Sequence, residues 1–114
     1  MKYSLRPRIR IVSDDGTIIL GPGKADLLEA IQRTGSIRAA ANELDMSYMR
    51  AWTLVKLMNA VFRSPLVEKV RGGSDQGGAQ LTERGAKVLA IYLRMEKDAS
   101  RAADTAWREL KKHL

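Results

Sequence analysis

Between residues 35 and 62 the apolar positions trace two short helical stripes separated by a polar interruption. Ile37, Ala40, Ala41 and Leu44 recur at helical spacing and share one face. Ala51, Val55, Met58 and Phe62 form the second stripe, with Leu54 and Val61 beside it. Gly35 breaks the chain ahead of the first helix, and the Ser36 hydroxyl can accept a bond from an orphan N–H of its opening turn. Asp45 reads as a turn residue, Met46 as a buried one and Ser47 as a second cap. The small side chains of Ala39, Ala40 and Ala41 leave room for another helix to cross closely. A short helix, a tight corner and a longer helix over residues 36–63 make a helix-turn-helix pattern.

The flanking pattern is mixed. Residues 1–20 read as a β-hairpin: Arg8, Ile9, Arg10 and Ile11 alternate charged and apolar, Ser13-Asp14-Asp15-Gly16 is a turn signal, and Thr17 to Leu20 return. Gly21-Pro22-Gly23 breaks the strand. Residues 24–34 read as a helix with Leu27, Leu28 and Ile31 on one face and Gly35 as its C-cap. Pro65 ends the helix-turn-helix near Arg63. Residues 66–70 and 79–81 read as short strands joined by a tip with four glycines in eight residues, a wing spanning residues 66–82. Thr82 caps a last helix, with Glu83 in its first turn where a negative charge suits the dipole.

That last helix is expected to run unbroken over residues 83–112. Val88, Tyr92, Met95, Ala99, Ala102 and Ala106 step by four and three in a heptad-like seam, with Trp107 and Leu110 near its end. A helix of ~30 residues spans about 45 Å, longer than a small domain can cover, so the seam is read as pairing with its twin in a homodimer in preference to folding back on its own domain. The fold class is mainly α with small β: a single domain, residues 1–114, forming a winged helix-turn-helix with an N-terminal β-hairpin and a long C-terminal dimerisation helix.

Composition narrows the function. At 114 residues the chain has room for one modest core. Twenty Lys and Arg against thirteen Asp and Glu leave a charge of +7, which favours a polyanionic partner. There is no Cys and one His, His113, in a Lys-rich tail. Ser36 and Ser47 therefore have no His to activate them, Asp14 and Asp15 belong to a turn, and no residues have metal-ligand spacing. Neither a catalytic constellation nor a phosphate-loop motif is present, and no cofactor or metal is expected. No apolar run approaches the ~20 residues of a membrane span, and residues 1–10 lack the apolar core of a signal peptide. A cytoplasmic location is expected.

In helix-turn-helix proteins the N-terminal part of the second helix enters the major groove of DNA. Here that part carries Ser47, Tyr48, Met49, Arg50 and Thr53, with Lys56 a turn further on. Residues 47–71 hold five basic side chains and one acidic, Glu68. Arg50 is the expected base contact, because Arg bidentate to guanine is the commonest specific pairing. Ser36 and Arg38 are expected to grip the backbone. Trp52 is expected to anchor the core through its large apolar area. In the wing, Gly72, Gly73, Gly77 and Gly78, with Ser74 and Gln76, allow backbone amides to approach phosphates closely. Arg71, at its base, is expected to reach the backbone or a minor groove. The basic stretch at Lys2, Arg6, Arg8 and Arg10 has two readings, contact with phosphates or a solvated edge that discourages aggregation, and the second is preferred.

The segments GSIRAAANELDMSYMRAW, Leu57-Met58-Asn59 and LVEKVRGGSDQGGAQLTERG, ending at Gly85, resemble the N-terminal winged-helix domain of ModE-type, molybdate-responsive bacterial transcription regulators. LysR-type regulators share the Leu-Thr-x-x-Gly lead into the last helix, but the Ser-Tyr-x-x-Ala-Trp segment and paired-glycine wing suit the ModE type better. The resemblance implies a homodimer reading a palindromic double-stranded DNA site, with the helix after Ser47 in the major groove and the wing on the flanking backbone. ModE-type regulators carry further C-terminal molybdate-binding domains, while this sequence stops at Leu114. The reading is thus a transcription regulator without a molybdate sensor of its own, with a separate sensor subunit as one route to control. The alternative is a winged-helix module that binds other proteins, or an accessory regulator with only non-specific DNA affinity.

Overall fold

A computed structural model describes residues 1–70 and 78–114. The elements follow in the order β1 (Ile11–Val12), β2 (Ile18–Leu20), α1 (Pro22–Thr34), α2 (Ile37–Glu43), α3 (Tyr48–Val61), β3 (Val67–Lys69), β4 (Ala79–Leu81), α4 (Glu83–Ala102) and α5 (Asp104–Lys111). The strands form two separate antiparallel pairs, β1 with β2 and β3 with β4. Leu27, Leu28, Ala30 and Ile31 of α1 are completely buried, and around them pack Ala40 of α2, Ala51 and Met58 of α3, Leu66, and Leu89 and Tyr92 of α4. Helix α1 is thus the pillar against which the helix-turn-helix stands.

Three expectations are corrected. The N-terminal hairpin is much shorter than residues 1–20, because β2 gives way to α1 immediately after Leu20, the partner of Ile11. Nothing remains to pair with residues before Ile11. Helix α1 begins at Pro22, two residues early: Pro22 sits in its first turn, where a fixed φ and a missing N–H cost nothing. The last helix is not continuous to residue 112. Ala103, with φ −86° and ψ −7°, separates α4 from α5, although its N–H still bonds the Ala99 carbonyl at 3.1 Å.

Local chemistry accounts for the remaining boundaries. Gly35 closes α1 in the left-handed region at φ 75°, its N–H on the Ile31 carbonyl at 2.8 Å. Thr82 caps α4 by accepting the Gly85 N–H at 3.0 Å, and its own hydroxyl donates to the Pro65 carbonyl at 2.7 Å. Among the described residues no helix is long and apolar enough to cross a membrane.

Candidate nucleic-acid interface

Two serine caps and one left-handed residue build the corner. Ser36 Oγ accepts the Ala39 N–H at 3.1 Å and Ser47 Oγ accepts the Arg50 N–H at 3.0 Å, each satisfying an orphan donor. Between them Asp45 takes φ 56°, and the Met46 N–H returns to the Ala41 carbonyl at 3.0 Å. Short polar residues such as Asp tolerate this conformation. With Ala51, Val55 and Met58 turned into the core, the opposite side of α3 is held outward. Met46 is half-buried rather than fully enclosed.

That outward side bears Met49, Arg50, Thr53 and Lys56, all exposed, and α3 has no acidic residue. Met49 is 69% exposed at the first turn, an unusual place for an apolar side chain with nothing over it. The Thr53 hydroxyl donates to the Met49 carbonyl at 2.8 Å, leaving its oxygen free to accept. Cations flank the helix on one side. The Arg38 guanidinium lies 4.4 Å from the centre of the half-buried Tyr48 ring, and the Lys56 and Lys69 ammonium groups each lie 5.5 Å from the Trp52 ring. Such contacts steer a cation while leaving it charged for a further partner. Trp52 is half-buried against the core, so it anchors as expected and also carries two lysines.

The wing is fastened by a residue whose task the apolar pattern did not reveal. Asn59, near the end of α3, accepts the N–H groups of Leu66 (2.8 Å) and Val67 (3.1 Å) through its side-chain oxygen and donates to the Val67 carbonyl at 3.0 Å. An Asn a few residues ahead of Pro65 is the only sequence signal of it. On the other strand, the Ala79 N–H donates to the Gly35 carbonyl at 2.9 Å, and Ser36 forms a backbone bridge with Gly78. Gly78 also accepts the Val70 N–H at 3.1 Å, so it belongs to the base of the wing and not to its tip. Arg71, Gly72, Gly73, Ser74, Gln76 and Gly77 lie outside the described residues.

Within the expected seam, Tyr92 is corrected outright. It is buried in its own core, and its hydroxyl donates to the Ile9 carbonyl at 2.6 Å. Burial, the larger cause, and neighbouring Glu96 both raise its pKa, keeping the phenol protonated as donor. A core-facing stripe and a partner-facing seam share the same spacing of threes and fours. Val88 and Ala99 are half-buried, while Met95, Ala102, Ala106 and Leu110 are exposed. Among the described residues no group of three or more His, Cys, Asp or Glu side chains could hold a metal ion.

A capped helix-turn-helix backed by α1, a two-stranded wing and a long following helix define a winged helix-turn-helix protein. Residues 24–86 match the bacterial regulatory helix-turn-helix proteins of the lysR family, and the chain belongs to that family, which is one of regulators and not of enzymes. It is 40% identical over 97 residues to the molybdenum transport protein ModE of Azotobacter vinelandii, a match covering 85% of this chain and 36% of that protein. It is 46% identical over 77 residues to the molybdenum-pterin-binding protein MopB of Rhodobacter capsulatus, covering 68% and 28% respectively. The chain thus spans about a third of the length of these curated relatives. Its fold is similar to that in the crystal structure of the CbnR_DBD–DNA complex, with a TM-score of 0.61 and 22% identity over 77% of this chain and 95% of that one.

Proposed function

We propose that the chain is a sequence-specific, double-stranded-DNA-binding transcription regulator that acts as a homodimer on a palindromic site in the bacterial cytoplasm. The observation that carries this reading is the outer face of α3, which has exposed Met49, Arg50, Thr53 and Lys56 and no carboxylate. Helix α3 enters the major groove. Arg50 pairs with a guanine edge, and Met49 packs on a thymine methyl, the one apolar feature of that groove. Ser47, Tyr48 and Thr53 bond phosphates or bases. Ser36, Arg38 and Lys56, with Arg71 and the wing amides of residues 72–78, hold the backbone.

Dimerisation is supported by the distribution of burial along the last helices. No residue after Tyr92 is buried, and the apolar Leu93, Met95 and Leu110 are 40%, 38% and 55% exposed. An isolated helix of this kind is poorly stable in water unless its apolar face is covered, and a second copy supplies an identical face.

Selection from a random duplex pool, at low and at near-physiological salt, tests the reading. A palindrome that survives the higher salt supports it. Motif-free binding that vanishes with salt overturns it in favour of a protein partner.

A further inference from the structure

Arg8 and Arg10 sit on a segment that belongs to no sheet, yet it is fixed. Ile9 and Ile11 alternate with them and pack against the core, and the Ile9 carbonyl is held by the Tyr92 hydroxyl. In extended backbone that alternation turns the two arginines to the other side. The stem of Arg10 crosses Gly21, where an added Cβ would lie 3.4 Å from Arg10 Cγ. Together with Lys24, Met46, Arg50 and Leu54, the two arginines line one cleft of about 270 Å³.

No carboxylate lines this cleft. Among the described residues none of its four cations forms an ion pair. Lys24 is committed to the wall, donating to the carbonyls of Ile18 at 2.6 Å and Ile19 at 3.3 Å. Arg8 also borders a neighbouring cleft that contains Asp26, Glu29 and Glu96, so Arg10 and Arg50 are the two facing a carboxylate-free space. Like charges gathered this way repel one another, and an anion between them converts that cost into attraction. Arg50 belongs both to this cleft and to the exposed edge of α3, which makes the cleft continuous with the reading face.

We propose that the N-terminal segment is a phosphate-binding arm. Arg10, assisted by Arg8, grips a backbone phosphate of the DNA strand bordering the groove that α3 enters, and Arg50 is shared between arm and reading helix. The inference rests on the DNA-binding reading. It adds a grip on the flank of α3 opposite Arg38 and the wing.

The test uses Arg8→Gln/Arg10→Gln and Arg8→Lys/Arg10→Lys on the full chain, with binding to a wild-type-selected duplex and an unrelated duplex measured over a salt series. The Gln variant is expected to weaken both duplexes alike and to lower the salt slope by about 0.9–1.8 per chain, with the thermal unfolding midpoint unchanged. The Lys variant, which keeps the charges, retains the slope. A wild-type slope in the Gln variant overturns the arm, as does a loss confined to one base position. Inorganic phosphate added at constant ionic strength separates the remaining source: competition at the arm lowers wild-type DNA affinity and leaves the Gln variant unchanged, whereas phosphate that binds the wild-type cleft without changing its DNA affinity makes the cleft a free-anion site, and the arm is wrong. Failure of the wild-type chain to bind any duplex defeats the DNA reading itself, an outcome distinct from an unchanged slope.

Discussion

Gly85 and Leu66 touch through their backbones: a Cβ on Gly85 would lie 2.0 Å from the Leu66 carbonyl oxygen and 2.9 Å from its carbonyl carbon. That oxygen also accepts the Thr82 N–H at 2.9 Å, so it cannot retreat without breaking the start of α4. The contact joins the residue just ahead of β3 to the last helix and gives a steric reason for glycine in the Leu-Thr-x-x-Gly motif.

Gly85→Ala is therefore expected to destabilise the fold by about 3 kcal/mol or more, the upper range for overpacking against an unyielding neighbour. Urea unfolding checks this. A gain near the helix-propensity difference, about 0.5–1 kcal/mol in favour of Ala, would mean that the backbone can move aside.

Asn59→Ala removes the acceptor for two backbone N–H groups and the donor to Val67. The expected cost is about 2–3 kcal/mol, chiefly from partly buried N–H groups left unpaired. Asn59→Asp keeps the acceptor but sets its second oxygen against the Val67 carbonyl, so it should cost less than Ala only at a pH where that oxygen carries a proton to donate. Equal losses in the two variants at that pH would contradict the assigned roles.

On α3, Arg50→Ala is expected to cost about 1–3 kcal/mol of DNA affinity and to relax specificity at one position. Lys56→Ala should weaken all duplexes similarly and flatten the salt slope. Binding of both variants to a panel of single-base site variants distinguishes the roles, and a uniform loss for Arg50→Ala would remove it from base recognition.

The pH dependence should contain a contribution from the hairpin turn. The Asp15 carboxylate accepts the Ser13 hydroxyl and the Thr17 N–H, which holds its pKa at about 2, below the ordinary 3.8. A depressed carboxylate stabilises the fold above its unfolded pKa, and that contribution fades as pH falls through the folded value. The stability difference between the wild type and Asp15→Asn should be constant above pH 3.8 and shrink towards pH 2. A difference that does not change over this window would contradict the linkage.

Met95→Arg should shift the dimer towards monomer in sedimentation equilibrium, because Met95 stands exposed on the proposed seam. Tyr92→Phe should leave the association state unchanged and loosen only the N-terminal segment, since Tyr92 faces Ile9 of its own chain. The opposite pattern would exchange their roles.

What could be read from the residues alone was local. Gly35, Ser36, Asp45 and Ser47 announce the corner because a left-handed cap or a capping hydroxyl acts within about four residues of itself. Contacts between distant segments stayed hidden. Tyr92 meets Ile9 across 83 residues, and its heptad-like spacing is equally that of a core stripe. The early end of the N-terminal hairpin depends on where α1 begins, which residues 1–10 do not encode. Arg8 and Arg10 could be read as phosphate contacts or, preferentially, as a solvated edge, and only the fold brings Arg50 beside them.

Helix α3 is proposed to read sequence. The most direct test is the ratio of affinities for the selected duplex and a scrambled duplex, measured at near-physiological salt on the intact chain. A ratio of at least about a thousand is expected, within the range of specific regulators. A ratio near one, with all affinity disappearing along the salt slope, would show that only the charge binds DNA.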